Sequence, residues 1–139
     1  MGVGVTNSSP TAEKSRQLRV LVVDDELLIR WSLTEALEEC GHAVAEAADA
    51  ASAVRAVSDG QRPDVVLLDF RLPDSADLAL LQTIRRAVPQ AQVIMMTAHG
   101  TPELVAGALA LGAYRVVNKP FEVHDMTDLV QQASTAGSP

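Results

Sequence analysis

The chain has 139 residues, of which 47% are apolar and only 3% aromatic, and it carries a formal net charge of −7. That length suits one domain with a core of Val, Leu, Ile and Ala rather than of rings. The negative charge argues against non-specific nucleic-acid binding, which needs Lys and Arg patches. The single cysteine, Cys40, excludes an internal disulfide and fits a reducing, cytoplasmic setting.

Residues 1–17 are polar, without an apolar run long enough for a signal peptide or membrane span, and are expected to form a flexible leader. Arg19-Val20-Leu21-Val22-Val23 then runs straight into Asp24-Asp25. Such a run, rich in β-branched residues and ended by polar ones, predicts a buried strand over 19–24. A helix follows over 26–40. Ile29, Leu33, Ala36, Leu37 and Cys40 form its apolar face, Trp31 falls off that stripe, and Gly41 is the C-cap. The second strand is predicted over 43–47 and the second helix over 50–59. Asp64-Val65-Val66-Leu67-Leu68-Asp69 gives a third strand over 64–69. The third helix, 77–87, has Asp77 placed to cap its start and Pro89 marking its exit. The fourth strand, 92–96, ends at Thr97 with the small Ala98 after it. Thr101 and Pro102 suit the N-cap and first turn of a helix over 101–111. The fifth strand, 114–117, leads through Asn118 to Lys119-Pro120-Phe121, and the last helix is predicted over 122–133. Residues 18–133 form the expected domain, and 134–139, built of Ser, Thr, Ala, Gly and Pro, are expected as a tail or truncated linker. Neither an internal repeat nor a second domain is expected in these residues.

Alternating strands and helices of this length imply an α/β fold with a parallel sheet, right-handed crossovers and helices on both faces. Ligands of such sheets sit outside the carboxyl ends of the strands. One face therefore gathers Asp24, Asp25, Asp69, Thr97 and Lys119. Three carboxylates there repel each other and need a cation. All-oxygen ligands suit a hard ion, and Mg2+ is the usual choice where phosphate chemistry is near. The rival reading, that these acids only cap the following helices, fits one strand end better than a doublet plus a single. Each residue type has a task in phosphoryl transfer, where the protein mainly positions groups and stabilises charge. A carboxylate can accept phosphate as an acyl phosphate. A lysine supplies a point charge to one oxygen, and a threonine hydroxyl donates to another. His42, His99 and His124 lack metal-ligand spacing. Neither Gly-x-Gly-x-x-Gly nor Gly-x-x-x-x-Gly-Lys occurs, which weakens a nucleotide-binding reading.

Taken together, Val22-Val23-Asp24-Asp25-Glu26, Leu67-Leu68-Asp69-Phe70-Arg71-Leu72-Pro73, Met96-Thr97-Ala98 and Asn118-Lys119-Pro120-Phe121 resemble the receiver domains of bacterial two-component response regulators. The resemblance covers residues 18–133. It implies a flavodoxin-like, doubly wound, five-stranded parallel sheet of strand order 2-1-3-4-5 with five helices. It implies that Asp69 accepts a phosphoryl group from a phosphohistidine of a sensor histidine kinase. Asp24, Asp25, Asp69 and the backbone carbonyl of Arg71 would bind Mg2+, and Thr97 and Lys119 the phosphoryl oxygens. A cis Lys119–Pro120 bond is implied as well. Ile29-Arg30-Trp31, Met96-Thr97-Ala98-His99 and Gly112-Ala113-Tyr114 are similar to the subgroup of nitrogen-regulation activators of σ54-dependent transcription, in which an ATPase domain and a DNA-binding domain follow the receiver. The implied role is a signalling domain, not an enzyme, that switches conformation to control a transcriptional output.

Several positions depart from the family pattern. Val116 stands where many receivers carry a switch aromatic, and strand alternation would put Tyr114 on the same side. Asp77, within Asp74-Ser75-Ala76-Asp77, replaces a common glycine. Arg71 and His99, two residues past Asp69 and Thr97, hold positions that in the family tune the lifetime of the phosphate. The apolar surplus on the fourth helix (Leu104, Val105, Ala108, Leu109, Leu111) nominates that helix, with the fifth strand and fifth helix, for a homodimer or effector contact. No direct nucleic-acid or membrane contact is expected of this domain. A haloacid-dehalogenase-type phosphatase also uses an aspartyl nucleophile and Mg2+, but it needs a second Asp two residues on, where Asp69 has Arg71 and Asp24 has Glu26.

Overall fold

The computed structural model describes residues 16–60 and 62–136. Most of the expected leader (1–15) and the last three residues of the expected tail (137–139) lie outside the described residues. The elements alternate strictly: β1 (Arg19–Val23), α1 (Leu27–Glu39), β2 (Ala43–Ala47), α2 (Ala50–Ser58), β3 (Val65–Asp69), α3 (Ala79–Ala87), β4 (Gln92–Thr97), α4 (Pro102–Ala110), β5 (Ala113–Asn118) and α5 (Val123–Ala136). All strand pairs are parallel, and the sheet order is β2-β1-β3-β4-β5. From β1 the chain winds outward to β2, then returns to β3 on the other side. That reversal opens a crevice at the carboxyl ends of β1 and β3, the place where open α/β sheets bind ligands.

The apolar runs are continuous because the central strands are buried on both faces. Side chains alternate between two cores. Val65 and Leu67 of β3 pack with Val20, Val22, Ile94 and Met96 under Leu33 and Leu37 of α1 and Met126 and Val130 of α5. Val66 and Leu68 pack with Leu21, Val23, Val93 and Met95 under Ala53 and Val57 of α2, Leu81 and Ile84 of α3 and Ala108 of α4. Each fully buried Leu or Val adds about 1.5–3 kcal/mol, so nothing at the carboxyl ends is needed to hold the sheet together.

The helix ends follow the sequence signals. Gly41 has φ of 93°. Its amide donates to the Glu38 carbonyl at 2.9 Å, and the His42 amide to the Leu37 carbonyl at 3.1 Å, which completes a glycine-ended C-cap. Thr101 Oγ1 accepts from the Leu104 amide at 3.1 Å, with Pro102 the first residue of α4. α3 starts two residues later than expected, with Leu78 at its N-cap; Asp77 lies one residue before that position, and its Oδ1 accepts from the Ala79 amide at 2.9 Å.

Three details differ from the sequence reading. Cys40 is exposed, because α1 ends at Glu39 and the following turn rotates it off the apolar stripe. The last helix runs on to Ala136, with Ser134 buried. Tyr114 and Val116 do not share a face. The register between β4 and β5 slips after Val93–Ala113, so Ile94 pairs with Arg115 and Tyr114 is the extra residue. Tyr114 therefore packs on the α1/α5 core and Val116 on the α2–α4 core.

Candidate functional site

Asp24 lies just past β1 and is fully buried. Its amide donates to the Ala47 carbonyl at the end of β2, 3.1 Å away. Its Oδ1 accepts from the Glu26 amide at 2.9 Å, just ahead of α1; no side chain caps the first-turn amides of that helix, so the capping reading does not account for Asp24. Its Oδ2 faces the other way and meets Lys119 Nζ at 2.8 Å. Asp69, the last residue of β3, is 6% exposed. Its Oδ2 lies 3.2 Å from Lys119 Nζ, and its Oδ1 has only a long contact of 3.4 Å from the Arg71 amide. Glu26 Oε1 takes the third ammonium hydrogen at 3.2 Å. Asp25 is exposed beside them. One carboxylate oxygen from each of Asp24, Asp25 and Asp69 fits within 4.8 Å of the others.

Thr97 ends β4 and is buried. Its Oγ1 accepts from the His99 amide at 3.1 Å, and its carbonyl accepts from the Lys119 amide at 2.8 Å. The Lys119–Pro120 bond is cis. Asp25, Asp69, Arg71, Thr97, His99 and Lys119 all line one open cleft of about 410 Å³. Asp24 is buried behind the lining residues and is joined to them through Lys119. All of the residues singled out from the sequence thus come together, with Arg71 and His99 exposed at the rim.

The electrostatics are those of a site short of positive charge. Burial, and then the charge of Asp24, push the Asp69 carboxyl up to about 6, against the lowering pull of Lys119 and the Arg71 amide. Burial alone would lower the Lys119 ammonium, but Asp24, Asp69 and Glu26 outweigh it and raise it. Lys119 is therefore firmly cationic and still cannot neutralise four carboxylates. Hard oxygen donors at this spacing could hold a small divalent cation, whose charge would favour the ionised form of Asp69.

Sequence reasoning assigned no role to three further residues. Glu26 was part of a quoted motif, and its bond to Lys119 could have been guessed from its place beside the acid pair. Arg30 donates from Nη1 to the Asp24 carbonyl at 2.7 Å and from Nε to Glu46 at 2.9 Å. Asn118 Oδ1 accepts from the Gly100 amide at 3.2 Å. A Cβ at Gly100 would lie 2.5 Å from that oxygen, so a larger residue there would push the Asn118 side chain aside and disturb this hydrogen bond. No local pattern announces either contact. α1 also exposes Leu27, Leu28 and Trp31 beside the cleft. No helix among the described residues is long and apolar enough to cross a membrane.

Comparison with known proteins gives a consistent answer. The chain is similar to the DNA-binding transcriptional regulator NtrC of Escherichia coli, at 37% identity over 114 residues, or 82% of this chain and 24% of that protein. It is 32% identical over 114 residues to sporulation initiation phosphotransferase F of Bacillus subtilis, covering 82% of this chain and 91% of the relative. Among solved structures, a CheY-like receiver domain protein from Methanospirillum hungatei superposes with a TM-score of 0.82 at 26% identity, over 87% of this chain and 96% of that one. The chain spans about a quarter of the length of the NtrC relatives. A family model described as the response regulator receiver domain matches residues 20–131, and with the fold and cleft above this places the chain in the family of response regulator receiver domains.

Proposed function

We propose that this receiver domain is a phospho-acceptor module: Asp69 takes a phosphoryl group from a phosphohistidine of a sensor histidine kinase, and the modified domain switches conformation. Receiver domains are signalling modules of two-component systems and interact with histidine kinases. The observation that carries the reading is Lys119, whose ammonium bridges the ends of β1 and β3 through Asp24 and Asp69 beside a third acid. Asp69 Oδ1, the freer oxygen, attacks phosphorus. The P–N bond breaks and its electron pair leaves with the imidazole. Lys119 holds one phosphoryl oxygen by charge, and Thr97, once its hydroxyl turns from accepting the His99 amide to donating, holds another. Asp24, Asp25, Asp69 and the Arg71 carbonyl would hold Mg2+, which offsets the negative charge that phosphate brings to the acids. The output is a shift between two populated conformations.

Arg71 and His99 stand at the cleft rim, where they meet incoming water, and we assign them control of the phosphate lifetime. Replacing both should change the dephosphorylation rate, followed by intact mass against time. The face of α4, β5 and α5, with Leu109 47% exposed and Arg115 5.4 Å over the Tyr114 ring, is assigned to a homodimer or effector contact. By similarity to NtrC, the output assigned is control of transcription.

The test is intact-mass spectrometry after incubation with a small phosphodonor and Mg2+, beside Asp69→Asn and a metal-free control. One added phosphoryl group that needs Mg2+ and vanishes in the Asn variant is the expected result. Absence of any adduct under conditions that label another receiver, with no complex formed by beryllofluoride, would overturn the reading.

A further inference from the structure

The loop between β3 and α3 carries the departure noted in the sequence, Asp74-Ser75-Ala76-Asp77. Asp74 does not face the cleft. Its two carboxylate oxygens reach the N-terminus of α2, accepting from the Ala50 amide at 2.8 Å and the Ala51 amide at 3.1 Å. Asp49 Oδ1 accepts from the Ser52 amide at 2.8 Å. Two acids, one local and one brought from 24 residues away, therefore satisfy the first three free amides of the helix. For capping alone the local acid is the usual solution. The second acid adds a tie between α2 and the loop.

That loop turns tightly. The Leu72 amide donates to the Ser75 carbonyl at 2.7 Å, the Ser75 amide returns the bond to Leu72 at 3.2 Å, and the Leu72 side chain is buried. The Leu72 amide shares a rigid trans peptide plane with the Arg71 carbonyl, so the Leu72–Ser75 bond fixes where that carbonyl points. Asp74 sits within the turn that makes this bond. Leu72 is buried in the core it shares with Ala53 and Val57 of α2, while Pro73, Ala76 and Asp77 are exposed, so Asp74 supplies the polar tie from this loop to α2.

We propose that Asp74 is a positioning residue for the metal site: by tying the Leu72–Ser75 turn to α2 it aims the Arg71 carbonyl into the acid cluster. The proposal rests on the Mg2+ assignment made above. Its effect travels through one peptide plane, and its partners on α2 touch no part of the cleft.

The experiment titrates MgCl2 into nitrogen-labelled protein and follows amide shifts by NMR in the wild type, Asp74→Ala, Asp74→Asn and Asp49→Ala. Asp74→Ala should weaken Mg2+ about three- to tenfold, below the ~10–100-fold typical of buried outer-shell partners because Asp74 is exposed. Asp74→Asn keeps one acceptor while losing the charge, and should fall between wild type and Ala. Asp49→Ala removes the other cap of the same helix and one charge, and should bind Mg2+ as the wild type does. An unchanged affinity in Asp74→Ala overturns the proposal. So does an Asn variant as weak as Ala, which would make the effect one of charge, or an Asp49→Ala variant equally weakened, which would make it one of helix stability. A wild type that binds no Mg2+ overturns the metal assignment itself, and this proposal with it.

Discussion

The two ends of the sheet use the same residue types for opposite purposes. At the amino end, His42 Nδ1 accepts from the Leu18 amide at 3.1 Å and Asp64 Oδ2 from the Arg19 amide at 2.8 Å. Both side chains serve the backbone, and burial, slightly countered by Asp64, keeps the His42 pKa below its ordinary value. At the carboxyl end, Asp24, Asp69, Glu26 and Lys119 are aimed mainly at one another, and the acids outnumber the ammonium. A polar group that completes a backbone hydrogen bond stabilises the fold. One that leaves charge unbalanced in a cleft marks where a partner of opposite charge belongs.

The largest expected effect is on chemistry. Lys119→Met should slow phosphoryl labelling by about 10²–10³-fold, the usual cost of one lost electrostatic contact to a transferring group. A time course of intact mass checks it, and a rate within threefold of wild type would remove the distinction between the two ends. Next comes the charge imbalance itself. The folded-state carboxyl of Asp69 titrates near 6 rather than at its ordinary 3.8, so its contribution favours folding below pH 4 and is lost as pH rises through 6. Metal-free Asp69→Asn should therefore exceed the wild type by roughly 2 kcal/mol at pH 7.5, with the gain vanishing towards pH 4. Urea denaturation across that range measures it, and added Mg2+ should shrink the gap. At the amino end the sign reverses: His42→Ala orphans the Leu18 amide and should cost about 1–2 kcal/mol in urea while leaving the labelling rate unchanged. Smallest in stability is Asp25→Asn. An exposed acid should move stability by less than about 0.5 kcal/mol, yet it should raise the Mg2+ concentration needed for half-maximal labelling.

Much of this was legible in the sequence because two-sided burial writes itself as unbroken apolar runs, and the residues that end those runs are the cleft. The strand order came from family resemblance, since the runs of β1 and β3 do not say which strands are neighbours. What escaped was contact between segments distant in the chain. Arg30 on the Asp24 carbonyl, Asn118 on Gly100 and Asp74 on α2 depend on loop paths that no periodicity encodes. Tyr114 misled for a different reason: alternation assumes an unbroken register, and one extra residue in β5 inverts it.

That extra residue offers a pair of optical reporters. Positions 114 and 116 lie two apart on one strand but open into different cores. A tryptophan at 114 would sample the layer beneath α1 and α5, and one at 116, paired in register with Met95, the layer beneath α2–α4. With Trp31 replaced to silence its emission, the two single-tryptophan proteins would show through which side of the sheet an event in the cleft spreads.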